Sequence, residues 1–199
     1  MTAEAMKCTN VRKAVFLDRD GTLIEDRGHL CDPSEVVFFP DTINALRRLQ
    51  EHFLLFIVTN QSGISEGIIS KSEVEQVNAH VVRRLADADV GITNVYMCPH
   101  KRSDGCQCIK PNPYFLRKAA HDYRVDLLRS FTVGDHPFDI ELAANVAACG
   151  IFVLTGHGRK HRDELNSGVP IVSGIAEAAH WILHSARLSI RSSTGTITP

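Results

Sequence analysis

The chain has 199 residues and a formal net charge of -1, with 44% hydrophobic and 23% charged residues. Those values fit one globular domain that buries a core without cross-links, and they exclude wholesale disorder and collagen-like architecture. A near-neutral balance also argues against a broad basic face for nucleic acid or anionic membrane, so an anionic substrate has to be held locally.

In chain order, the first thirteen residues, MTAEAMKCTNVRK, contain no signal-peptide core, and no apolar run anywhere approaches the roughly 18 residues of a membrane span. A cytoplasmic location, no membrane partner and a monomeric state are the expectations. AVFL at 14–17 reads as a fully buried strand that ends in DRDGT, with Asp18 and Asp20 at its tip. Residues 23–39 read as a loop or short hairpin arching over that tip, too short for a separate lid domain. PDTINALRRLQEH at 40–52 opens with proline and aspartate and sets Ile43, Leu46 and Leu49 at helical spacing. FLLFIV at 53–58 predicts the second strand, which runs into TNQSG. Over 70–89 a long helix is expected: Ser70 and Glu73 have capping-box spacing, and Val74, Val77, Val81 and Leu85 share one stripe.

A weaker strand falls at 94–97 and a helix at 111–123. The strand at 130–133 ends in GDHPFD and is followed by a helix at 137–148; the strand at 151–154 ends in TGHG. A last helix at 175–188 buries Trp181, the single tryptophan. Residues 189–199 are small and polar and predict a disordered tail, which leaves one domain over 1–188.

Strands alternating with helices predict an α/β fold: a Rossmann-like, doubly wound, mainly parallel sheet with helices on both faces and no large cap domain. Ligands of such sheets lie beyond the carboxyl ends of the strands, where this chain gathers its polar residues. Positions i and i+2 of a strand share a side, so Asp18 and Asp20 can converge on one point. Carboxylates that close repel unless a cation or a shared proton intervenes, and a hard, oxygen-seeking cation such as Mg²⁺ suits them. Asp135 arrives from another strand end, with Asp139 four residues on. Lys110 offers a compact positive charge, and Thr59 and Asn60 offer neutral donors. Acids, metal, lysine and hydroxyl are the parts that phosphoryl transfer needs. An acid pair after a strand also suits a plain turn or cap, and Asp139 suits the first turn of its own helix.

CPHKRSDGCQC at 98–108 contains three of the six cysteines. Cys98, His100, Cys106 and Cys108 form C-x-H-x5-C-x-C, a four-ligand set that matches tetrahedral structural Zn²⁺ with no open catalytic position. A redox-active thiol cluster, or cysteines that merely pack, are the alternatives. In a reducing compartment Cys8, Cys31 and Cys149 are expected to be inert thiols rather than disulfides.

With DRDGT, TNQSG, Lys110 and GDHPFD in that order, the chain resembles the haloacid dehalogenase superfamily of aspartate-nucleophile phosphatases over residues 13 to about 165. The resemblance implies that Asp18 is the nucleophile forming an aspartyl-phosphate and Asp20 the acid that protonates the leaving group and then activates water. Thr59 and Lys110 would hold the transferring phosphoryl group, while Asp18, the backbone carbonyl of Asp20, and Asp135 would bind Mg²⁺. A zinc loop leading into the motif lysine is similar to the branch containing D-glycero-D-manno-heptose 1,7-bisphosphate phosphatases and histidinol-phosphate phosphatases. TNQSGISEG, TGHGRK and DRGHLCDPSEVVFFP look like the heptose versions of those loops, so the implied substrate is a small phosphorylated sugar, heptose 1,7-bisphosphate, with a role in lipopolysaccharide heptose synthesis. Histidinol phosphate is the alternative; a polynucleotide 3'-phosphatase or a non-catalytic scaffold fits less well. Two positions depart from that branch. Ile109 stands where arginine usually precedes the motif lysine, and His136 where the heptose enzymes commonly carry lysine. Expected substrate contacts are Asn60, Gln61, Ser62, Arg27, His29 and Ile109, with Lys101, Arg102 and Arg159 as further candidates.

Overall fold

A computed structural model describes residues 11–193 of the chain, with side chains as far as residue 186. Six parallel strands form one sheet: β1 (Ala14–Leu17), β2 (Leu54–Asn60), β3 (Asn94–Cys98), β4 (Phe131–Gly134), β5 (Cys149–Val153) and β6 (Ile171–Val172). Their order across the sheet is β3-β2-β1-β4-β5-β6. The chain therefore winds outward from β1 in one direction, returns to β4 on its other side, and winds outward again. β1 is central, buried along its whole length, and Leu17 is in register with Ile57 on one side and Val133 on the other.

Alternation along β1 explains the two-faced core. Val15 and Leu17 join the larger apolar cluster with Leu46 and Leu49 of α1 (Thr42–Gln50), Val77 and Val81 of α2 (Lys71–Ala86) and Ala178 and Ile182 of α6 (Ile175–Ser193). Ala14 and Phe16 face the second cluster, with Leu116 and Ala119 of α3 (Tyr114–Tyr123) and Leu142 of α4 (Pro137–Ala144). Phe16, Phe56, Tyr96 and Phe115 stack across that face with centroids 5.0–5.9 Å apart. The capping box of Ser70 and Glu73 forms as its spacing predicts.

Several boundaries differ from the sequence expectation. α4 stops at Ala144 rather than 148 because Ala147 takes a left-handed φ of 55° and feeds β5 directly. α3 starts at Tyr114, past Pro111 and Pro113, which suit a helix entry but not its interior. β6 is only two residues long, and α5 (Gly158–His161) only four, so neither carries a readable period. α6 continues to Ser193 and takes in residues 189–193 of the expected tail; no glycine or proline interrupts that run before Gly195. Residues 194–199, and Cys8, lie outside the described residues. Trp181 is half-buried, edge-on to Phe131 at 6.3 Å. No helix among the described residues is long and apolar enough to cross a membrane.

Candidate active site

The sheet brings four chain segments to its carboxyl edge around a cavity of about 420 Å³. Asp18 follows β1, and its backbone N–H donates to the Val133 carbonyl of β4 at 2.9 Å, so the carboxylate starts level with the end of β4, while β2 runs two residues further. Thr59 and Asn60 close β2; Asp135 follows β4. Asp18, Asp20, Thr59, Asn60, Lys110 and Asp135 all line the cavity, as do Ser62, Ile109, Lys101 and Arg102.

Lys110 connects the acids. Its Nζ donates to Asp18 Oδ1 at 2.5 Å and to Asp139 Oδ1 at 2.7 Å, all three side chains being buried. Burial alone would push this ammonium down, but the Asp139 and Asp18 carboxylates outweigh it and hold Lys110 above the ordinary lysine range. Burial pushes the Asp18 carboxyl well above the usual carboxylate range; Lys110 opposes the rise, and Asp139, Asp135 and Asp20 add to it. Asp135 is pushed up to about 6, mainly by burial, against the pull of the His157 backbone N–H that donates to it at 2.7 Å.

Asp18, Asp135 and Asp139 place carboxylate oxygens within 4.8 Å of one another. One ammonium among three buried carboxylates leaves two negative charges uncompensated, which fits a divalent, oxygen-seeking cation. Asp139 thus belongs to the acidic cluster itself. It also caps α4, accepting from the His136 backbone N–H at 3.3 Å, while the His136 imidazole accepts from Phe138 N at 3.2 Å. His136, where lysine is common in the resembling enzymes, works here as the helix cap and as cavity wall.

Two glycines leave room for Asp135. Gly21 has φ of +81°, and a Cβ there would stand 2.1 Å from Asp135 Oδ2; a Cβ on Gly156, at φ +52°, would meet the same atom at 2.1 Å. The DGT and TGHG turns need glycine for backbone conformation and for close approach alike.

Asp20 faces a separate set of partners. Gln61 Nε2 donates to Asp20 Oδ2 and to Thr59 Oγ1, both at 2.8 Å, and the Arg19 guanidinium lies against the same carboxylate. Asp20 thus stands outside the Asp18–Asp135–Asp139 group, although it lines the same cavity and its charge adds to the rise at Asp18. Gln61 is turned to these protein groups and is absent from the cavity wall. Arg27 pairs with Glu25 at 2.9 Å, His29 lies against the position a Gly63 Cβ would occupy, and exposed Arg159 is likewise outside the wall. The polar DRGH and GRK segments are near the site in sequence, but these side chains point elsewhere. Asp26, Glu66 and Phe138 complete the wall; nothing in their local sequence distinguishes them from surface or packing residues.

Beside the cavity, Cys98, His100, Cys106 and Cys108 converge within 4.8 Å. Their S–S separations of 3.2–3.6 Å and S–Nδ1 separations of 3.5–3.8 Å compare with edges of about 3.8 and 3.6 Å expected for tetrahedral zinc with Zn–S near 2.3 Å. The set can hold zinc, and no disulfide joins these thiols. Cys31 and Cys149 lie apart as free thiols. The loop between Cys98 and Lys110 carries Arg102, whose guanidinium lies 3.8 Å over the Phe138 ring and donates to the Lys110 carbonyl at 3.3 Å.

A doubly wound parallel sheet with a buried, lysine-bridged acidic cluster at its carboxyl edge defines a hydrolase of the phosphomonoesterase class. A family model described as HAD-hydrolase-like matches residues 107–178. The D-glycero-beta-D-manno-heptose-1,7-bisphosphate 7-phosphatase of Escherichia coli K12 is 34% identical over 180 residues, covering 86% of this chain and 88% of that protein. Its counterpart in Yersinia pestis is 34% identical over 182 residues, covering 86% and 90%. The crystal structure of D,D-heptose 1,7-bisphosphate phosphatase from B. bronchiseptica, complexed with magnesium and phosphate, matches with a TM-score of 0.80 at 32% identity, covering 87% of this chain and 99% of that one. The chain belongs to the haloacid dehalogenase-like hydrolases, in the family of these heptose bisphosphate phosphatases.

Proposed function

We propose that this chain is a Mg²⁺-dependent phosphatase that removes the C7 phosphate of D-glycero-D-manno-heptose 1,7-bisphosphate through an aspartyl-phosphate on Asp18. The observation that carries the chemistry is the buried Asp18 carboxylate, bridged by Lys110 and open to a cavity of about 420 Å³. The similarity to enzymes named for this substrate, over nearly their full length, supports the choice of sugar.

Asp18 attacks phosphorus as the bond to the leaving oxygen breaks, and Asp20 supplies the proton that this oxygen needs. Asp20, now ionised, takes a proton from water as that water attacks the aspartyl-phosphate, which releases inorganic phosphate and restores both acids. Lys110 stays protonated and balances charge on the transferring group, while Thr59, Asn60 and Ser62 supply neutral donors around it. Mg²⁺ would be held by Asp18, Asp135 and the Asp20 carbonyl, with Asp139 close by, and when bound it offsets negative charge on the phosphoryl oxygens. Zn²⁺ on the Cys₃His set would fix a loop that has little core of its own and so hold Lys110 and Arg102 in place. Ile109 cannot bond an anion, and Arg102 and Lys101 take over recognition of the distal phosphate.

A phosphate-release assay tests this with heptose 1,7-bisphosphate as both anomers and histidinol phosphate, each with Mg²⁺ and with EDTA. The expected result is Mg²⁺-dependent release favouring one heptose anomer. A clear preference for histidinol phosphate would overturn the substrate assignment, and undiminished activity of Asp18→Asn would overturn the mechanism.

A further inference from the structure

Arg19, between the two acids of DRDGT, has no solvent exposure at all. Its Nε stands 3.1 and 3.0 Å from the two carboxylate oxygens of Asp20, and Nη2 is 2.9 Å from Oδ2. Nη1 donates to Asn78 Oδ1 at 2.6 Å. Asn78 follows the fully buried Val77 on α2, so the amide is carried by a helix whose apolar stripe is locked in the core. A guanidinium is planar and always charged, and one removed from water depends on the partners it keeps. Here one edge takes a carboxylate and the other an amide from a different element. Gln61, just past the end of β2, holds Asp20 Oδ2 at 2.8 Å, so Arg19 and Gln61 grip the carboxyl group directly while Asn78 holds Arg19 in turn.

Nothing in the reaction requires a cation there. Lys110 already serves the phosphoryl side, and Arg19 does not reach the cavity wall. We propose that Arg19 and Asn78 form a fixed mount that positions Asp20 for proton exchange with the leaving oxygen and with water, which makes Asn78 of α2 a positioning residue for the reaction. This rests on the reading of Asp20 as the acid. The O–H bond of Asp20 breaks as the O–H bond of the leaving alcohol forms, in step with cleavage of the P–O bond and formation of the Asp18 O–P bond. A carboxyl group displaced by even about 1 Å loses much of its rate contribution.

A leaving-group comparison separates positioning from mere stability. A sugar phosphate needs a proton on its departing oxygen, whereas 4-nitrophenolate leaves without one, and kcat/KM reports only the steps through that departure. Asn78→Ala, Asn78→Asp and Arg19→Lys are each expected to lose at least about ten-fold in kcat/KM on a sugar phosphate and less than about three-fold on 4-nitrophenyl phosphate. Asp20→Ala is the reference. If Asp20→Ala itself fails to discriminate between the two substrates, the acid reading is wrong and the mount falls with it. If Asp20→Ala discriminates while the Asn78 variants lose equally on both substrates, or lose nothing, the mount alone is refuted. Thermal melting qualifies Arg19→Lys; if it does not fold, the half-buried Asn78 positions decide.

Discussion

The ammonium of Lys110 stands 2.5 Å from the carboxylate of Asp18 although 92 residues separate them in the chain. The same nitrogen reaches Asp139 at 2.7 Å, so one lysine joins the tip of β1 to the first turn of α4 through a loop that starts at the end of β3. Replacing it with methionine leaves two buried carboxylates without their counter-charge. Lys110→Met is expected to lower kcat by about 10²–10³-fold and stability by about 3 kcal/mol. Steady-state kinetics and urea unfolding measure the two effects separately.

The acidic cluster sets a pH dependence with a definite sign. Asp135 is pushed up to about 6 in the folded, metal-free protein, from an ordinary value of 3.8. Folding therefore favours its protonated form, so its contribution to stability is complete below about pH 4 and is lost as pH rises through about 6. Asp18 shifts in the same direction. In EDTA, these acids are expected to lower the melting temperature between pH 4 and 7. Mg²⁺ needs the ionised ligands, so the stabilisation it adds should grow over the same interval. A thermal-shift series across pH, with and without Mg²⁺, checks this; a Mg²⁺ effect that shrinks toward pH 7 would contradict it.

Metal analysis should return one zinc per chain. Stripping it under native conditions should open Cys98, Cys106 and Cys108 to alkylation and lower activity, because Lys110 directly follows the loop that the proposed zinc would hold. Protein without stoichiometric zinc, whose thiols alkylate freely while activity persists, would rule the structural site out.

Gly21→Ala forces a Cβ to within 2.1 Å of Asp135 Oδ2 at a φ of +81°. The left-handed backbone alone costs about 1–2 kcal/mol, and Asp135 has to move. If Asp135 holds Mg²⁺ as proposed, Mg²⁺ affinity is expected to fall at least about ten-fold, since that carboxylate is displaced. Titration with Mg²⁺ and a melting curve read the two losses.

Arg102→Ala removes a guanidinium that lies 3.8 Å over Phe138 at the cavity wall. KM for the bisphosphate should rise about ten-fold while kcat changes little, the pattern of lost uniform binding. A fall in kcat with KM unchanged would place Arg102 on the reacting phosphate instead.

The alternation of apolar runs and amphipathic stretches determined the α/β class, because burial on both faces of a parallel sheet leaves near-continuous apolar strands such as residues 54–58. Residue order alone also set Asp18, Thr59 and Asp135 beside strand ends, and C-x-H-x5-C-x-C gave a complete ligand set, because both depend on local spacing. Only the tertiary structure decided which of these groups meet. Strand order seats β1 between β2 and β4, which brings Asp139 and Asp18 onto the one ammonium of Lys110. It also turned Gln61 onto Asp20, gave Arg27 to Glu25, and carried Asn78 from α2 to Arg19. Local spacing specifies the face of an element, whereas a contact across 59 or 92 residues depends on how whole elements pack.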